Sequence, residues 1–305
     1  MKKIIILAAV AATVSVPALA RNAGIPGHPL PGRSMASTFV IQNWLDTELP
    51  GGSYVAELAK AYQERADYEA AYSGDGDTNW YDATAFYAKS VRAANGEDVQ
   101  PWAPSELGLD DAVLTVAYDA TIKRAAKYRS IAPAACAQLV ALYDHYIEQV
   151  RETPHYITEP DAVFTGWVAA YKSCYTPSNI YGFPINACEN TDNDRRIQDE
   201  PAPGLNERSK AEALAAELGA DEASGLLGLI DAFIMVEGHA STTASMRYNK
   251  RLGECRAGFV KELLTVAGVE TTRVGAVSKG EEELEVQTGD GVEEYRNRRV
   301  VVIEQ

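Results

Sequence analysis

SMRYNKRLGECRAGFVKELLTV, residues Ser245 to Val266, is the most strongly patterned stretch of the chain. Tyr248, Leu252, Cys255, Phe259, Leu263 and Val266 recur at helical spacing on one narrow face, with Arg256 flanking that stripe and Gly268 supplying the stop. Upstream, Asn179 to Ile185 reads as a short strand and Glu207 to Leu218 as a helix, and Leu229 to Glu237 is an apolar run too short for another good helix. Downstream, Arg273 to Val277 and Arg298 to Ile303 read as strands, the second nearly continuous in Val and Ile as a buried strand requires. Strands alternating with helices predict a mixed β-sheet covered by helices.

From Thr38 to about Lys172 the signals are helical instead. Thr78 precedes Trp80, Ala83, Phe86, Tyr87 and Val91, and Asn95-Gly96 ends that helix. Asp110 opens a second helix, Pro133 a third, and a fourth runs from about Asp161 to Lys172 with Phe164, Trp167, Val168 and Tyr171 on one face. Aromatics at this spacing are core material. The fold class is therefore α+β, with a helical domain over residues 38–176 followed by the sheet-containing domain over residues 177–305.

Ahead of both domains, Lys2 and Lys3, an apolar run from Ile4 to Val16 and Ala18-Leu19-Ala20 have the layout of a secretory signal over residues 1–20. Arg21 to Gly32 is rich in Pro and Gly, so residues 21–37 read as a flexible linker. The expected compartment is therefore outside the cytoplasm.

A formal net charge of −15 repels phosphate backbones, and no basic run offsets it, which argues against nucleic acid as a partner. Four cysteines in an exported chain are expected to pair, with three connectivities possible. Cys136 and Cys174 lie on arms of similar length in a predicted helical hairpin turning at Pro154 to Pro160, which favours a bridge between them. Cys255, inside an apolar stripe, is expected to be buried, with Cys188 as its remaining partner.

Val236-Glu237-Gly238-His239-Ala240-Ser241, Arg247 to Leu252, Arg256-Ala257, Gly268-Val269 and Asn297-Arg298-Arg299-Val300 occur in this order with suitable gaps. Together they resemble the OmpA-like domain family found in OmpA, Pal and MotB proteins. The resemblance implies helices on a mixed sheet and non-covalent binding of the diaminopimelate-containing stem peptide of peptidoglycan. In the family an Asp and an Arg clamp the zwitterionic end of that residue: Arg256 matches the Arg, whereas Ser241 stands where the Asp is expected. A planar guanidinium can hold a carboxylate by two parallel hydrogen bonds, while a facing carboxylate would pair the ammonium. Asn249, on the same side of the helix as Arg256, matches a pocket-lining Asn, and the family places one of Arg298 and Arg299 near the pocket.

His239 reads as a packed imidazole at a strand end, and Glu281-Glu282-Glu283 as solvated turn surface. Ser73 to Asn79 has oxygen ligands at alternate positions without the rest of a calcium loop, which favours a turn and helix cap. No cofactor or metal site and no nucleophile with its base is read from the chain. The resulting expectation is a non-catalytic protein that binds peptidoglycan, its helical domain meeting another envelope protein. The alternative is a structural protein whose domain keeps the fold and has lost wall binding.

Overall fold

The computed structural model describes residues 38–71, 79–152, 160–188 and 208–305. The secretory signal, the Pro/Gly linker, the loop from Ser73 to Thr78 and the hairpin turn after Pro154 lie outside the described residues.

The N-terminal half is helical: α1 (Thr38–Leu45), α2 (Tyr54–Ala71), α3 (Asn79–Ala94), α4 (Ala112–Tyr128), α5 (Pro133–Glu152) and α6 (Pro160–Ser173). Asp111, rather than Asp110, caps α4, accepting from the backbone N–H groups of Val113 at 2.7 Å and Leu114 at 3.0 Å. Trp167 is fully buried and donates to Thr121 Oγ1 at 2.9 Å, so the aromatic face of α6 is core. Cys136 and Cys174 are bonded, which closes the α5–α6 hairpin. Buried Asp144 accepts from Tyr62 Oη at 2.6 Å, Lys89 Nζ at 2.5 Å and the Trp102 backbone at 2.7 Å, joining α2, α3 and α5.

The C-terminal half is a four-stranded sheet in the order β1 (Ser178–Ile180), β4 (Val300–Glu304), β2 (Ile234–His239), β3 (Val274–Gly280). β2 and β3 are parallel, and β4 is antiparallel to both β1 and β2. The helices are α7 (Arg208–Ala223), the single turn α8 (Leu226–Leu229) and α9 (Met246–Val266), the crossover between the two parallel strands. Ser245 caps α9 through its side chain. Arg124 of α4 joins the halves: it pairs with Glu304 of β4 at 2.5 Å and lies 4.1 Å from the centre of the Tyr171 ring.

Three expectations need correction. The strand expected over Asn179–Ile185 stops at Ile180: Gly182 has φ +88°, and Pro184 has no N–H to offer a ladder. The helix expected to end at Leu218 continues to Ala223.

The third correction concerns the face that α9 buries. Asn249, Gly253, Arg256, Ala257, Val260 and Leu264 meet the sheet, whereas Cys255 and Val266 are exposed and Tyr248, Leu252, Phe259 and Leu263 are half-buried. Arg256 is thus within the buried face, not beside it. A Cβ at Gly238 would overlap the carbonyl of Gly253, and one at Gly253 the carbonyl of Gly238. The helix backbone can approach this closely only on its small-residue side, so the large apolar groups turn to the flank, where Arg208 of α7 covers the Phe259 ring at 5.6 Å.

Candidate functional site

The site forms at the end of β2, where the strand finishes at His239 and the chain turns through Ser241 into α9. Arg256, completely buried, projects from α9 toward this end. Its Nη1 donates to the His239 carbonyl at 2.7 Å, Nη2 to Pro184 at 2.8 Å and Nε to Ala187 at 3.1 Å. The Phe183 ring centre lies 5.5 Å from the guanidinium carbon. Burial, and then the like charge of Arg298, lower the guanidinium to about 9, so it remains cationic at neutral pH. Among the described residues no carboxylate stands within ion-pairing distance of it.

Arg298 reaches the same segment from the other side. Its Nε donates to the Phe183 carbonyl at 2.8 Å and its Nη1 to Glu293 Oε1 at 2.9 Å. Residues 183–187 are therefore gripped by two guanidiniums through their carbonyls, and the next residue, Cys188, is bonded to Cys255. The sequence reading gave this segment no role. The signal was available: the leftover cysteine pair puts Cys188 beside the residue that precedes Arg256.

Asn249 is buried and donates from Nδ2 to the Ala244 carbonyl at 3.1 Å and to Glu281, so the acidic turn is not merely solvated surface. Ser241 is 3 % exposed, and its Oγ lies 3.2 Å from Thr243 Oγ1. The structure brings Arg256, Arg298 and the strand end together, with Ser241 two residues beyond the carbonyl that Arg256 holds.

Arg299 points elsewhere: the strand expected from Arg298 begins only at Val300, and the chain bends at Arg298. Its Nε lies 3.4 Å from Glu285, beside the His239 and Glu283 pair. His239 has Nδ1 3.0 Å from the Glu283 carbonyl, and burial, followed by the Arg299 charge, lowers its pKa to about 4. A neutral, packed imidazole suits a structural residue.

Chemically, the arrangement is a buried cation whose donors rest on neutral carbonyls. An anion that displaced Pro184 or Ala187 would turn a hydrogen bond from the guanidinium to a neutral acceptor into an ion pair, at the cost of desolvating the anion.

The sequence model of the OmpA family matches residues 215–298. Over 70 residues the chain is 39 % identical to a peptidoglycan-associated lipoprotein of Legionella pneumophila, covering 23 % of this chain and 40 % of that protein. Over 69 residues it is 38 % identical to one of Pasteurella multocida (strain Pm70), covering 23 % of this chain and 46 % of that one. The chain thus spans less than half the length of these curated relatives. A crystal structure of the peptidoglycan-associated lipoprotein from Burkholderia pseudomallei is similar at a TM-score of 0.32 and 22 % identity, covering 42 % of this chain and 89 % of that one. Residues 215–298 are an OmpA-family domain.

Proposed function

We propose that the chain is a non-catalytic envelope protein whose OmpA-like domain associates non-covalently with peptidoglycan through the diaminopimelate-containing stem peptide, on the periplasmic side of the outer membrane. One observation carries this reading. Arg256 is a completely buried cation that no carboxylate of the described residues neutralises, and a buried charge without a counter-ion is costly unless a ligand completes it. The match to the OmpA family and the names of the relatives support peptidoglycan as the partner, and the anion we assign to this cation is a stem-peptide carboxylate. Arg298 grips the same segment as this cation, and Asn249 lies on the same buried face of α9, so both are assigned to the binding site and Arg299 to packing. Catalysis finds no support at the site, where Ser241 Oγ is engaged by Thr243 and His239 Nδ1 by a backbone carbonyl. Among the described residues no helix is long and apolar enough to cross a membrane.

The alternative, a structural protein that no longer binds the wall, has its own support. Ser241 offers no charge to the ligand's ammonium, and the polar atoms of Arg256 are already occupied by the chain's own carbonyls.

Co-sedimentation with purified sacculi separates the two readings. The wild-type protein is expected in the pellet, with Arg256→Ala lost from it and Arg251→Ala retained, since Arg251 is exposed on α9. Loss of a charged hydrogen bond at a buried site costs roughly 1.5–3 kcal/mol, against a few tenths for a surface charge. A wild-type protein that stays in the supernatant contradicts wall binding and favours the structural reading.

A further inference from the structure

Inside the helical half, five ionisable side chains converge far from the Arg256 site: Glu69 on α2, Asp82 on α3, and His145, Glu148 and Glu152 on α5. All are buried, Glu148 completely and His145 to 1 % exposure. Spacings of three and four residues put the α5 group on one helix face, turned toward α2 and α3. The potential ligand atoms of Glu69, His145 and Glu148 lie within 4.8 Å of one another, and so do those of Asp82, Glu148 and Glu152. Glu148 belongs to both groups.

Buried acids alone do not make a site. The imidazole is the independent sign. His145 Nε2 is 3.0 Å from Glu69 Oε1, but neither ring nitrogen has an aligned hydrogen-bond partner. Glu148 Oε1 has none either, while its other oxygen accepts from Gln149 at 3.0 Å. Polar atoms this deep are normally satisfied, so an imidazole and a carboxylate oxygen without aligned partners, within 4.8 Å of one another, call for a ligand with positive charge and vacant coordination positions. Among the described residues, Lys89 pairs with Asp144 at 2.5 Å and Arg65 lies 3.8 Å from Glu64.

We propose that this cluster binds divalent first-row transition-metal ions, one held by Glu69, His145 and Glu148, and a second held by Asp82 and Glu152 with Glu148 as the bridge. Carboxylates with one imidazole suit Mn²⁺, Fe²⁺ or Zn²⁺ better than Mg²⁺ or Ca²⁺, which prefer all-oxygen shells. Carboxylate and His ligands facing inward from neighbouring helices are also how bundle interiors hold such ions. The ions would fasten α2 and α3 to α5.

The test uses the full chain, stripped with chelator and then titrated with Mn²⁺ or Zn²⁺. Elemental analysis after desalting is expected to find one to two ions per chain, and thermal melting to shift upward saturably, by several degrees at excess metal. Glu148→Gln keeps the shape and takes away the carboxylate that would bridge the two ions. It is therefore expected to stay folded, melt no lower than the stripped wild type, and lose both the bound metal and the shift. Less than about a tenth of an ion per wild-type chain would overturn the proposal, as would an equal response from Glu148→Gln, which would place the metal on the surface. A stripped protein stabilised by acid and indifferent to either metal would also overturn it, identifying a cluster of protonated carboxyls.

Discussion

Ala187 and Arg256 are joined twice: by the 3.1 Å hydrogen bond from Arg256 Nε to the Ala187 carbonyl, and by the Cys188–Cys255 disulfide linking their chain neighbours. The covalent tie keeps the carbonyls of residues 184–187 at high effective concentration over the guanidinium. The segment and an incoming carboxylate therefore compete for the same donors.

Replacing Cys188 and Cys255 together by Ser is expected to strengthen muropeptide binding several-fold, because the competing segment is no longer tethered. Calorimetric titration checks this. Weaker binding in the double variant would mean that residues 184–187 form part of the ligand surface instead of covering it. Substituting both positions leaves Cys136–Cys174 intact, which chemical reduction would not.

Ser241→Asp is expected to strengthen binding by on the order of 1 kcal/mol, or several-fold, by giving the ligand's ammonium a charged partner. Glu237 opposes the new charge less than its proximity suggests, since Lys279 stands 3.3 Å from it. The burial of Ser241 acts the other way, because the new carboxylate must be desolvated. A double-mutant cycle with Arg256→Ala isolates the coupling. An unchanged affinity for Ser241→Asp would show that the ammonium does not reach the strand end.

The buried imidazole of His239 gives a pH signature. Its folded pKa of about 4 lies below the unfolded value near 6.5, so its contribution to stability is fully present above pH 6.5 and is lost as the pH falls through about 4. The amount at stake is up to about 3 kcal/mol. Denaturant titrations from pH 7 to pH 4 are expected to show a smaller loss for His239→Gln than for the wild type. Parallel losses in the two proteins would remove His239 as the source.

The sheet-containing half was largely legible. The caps and period of α9 were readable from Ser245 and Gly268, and β4 from its Val/Ile run. The buried face of α9 was not, because periodicity weighs large apolar residues. Here the contact is set by two glycines, Gly238 and Gly253, whose backbones touch, and by polar groups whose hydrogen bonds are completed only in the fold. For the same reason Arg256 read as a flank cation. Arg298 and Arg299 could be placed near the site but not distinguished, since the bend at Arg298 that turns them apart lies where the sequence reads as strand. The acid–imidazole cluster was illegible for another reason: Glu69, Asp82 and the α5 residues belong to separate segments, each of which reads as an ordinary amphipathic helix.

Arg256 as the receptor for a stem-peptide carboxylate is tested most directly by changing the ligand, which leaves the protein's buried core intact. Two muropeptides would be titrated into the wild-type protein by calorimetry, one with the free diaminopimelate carboxylate and one with that carboxylate amidated. The free acid is expected to bind at least about tenfold more tightly, the equivalent of roughly 1.4 kcal/mol for an ion pair exchanged for a hydrogen bond to a neutral acceptor. Equal affinity for the two muropeptides, or no heat from either, would contradict the assignment.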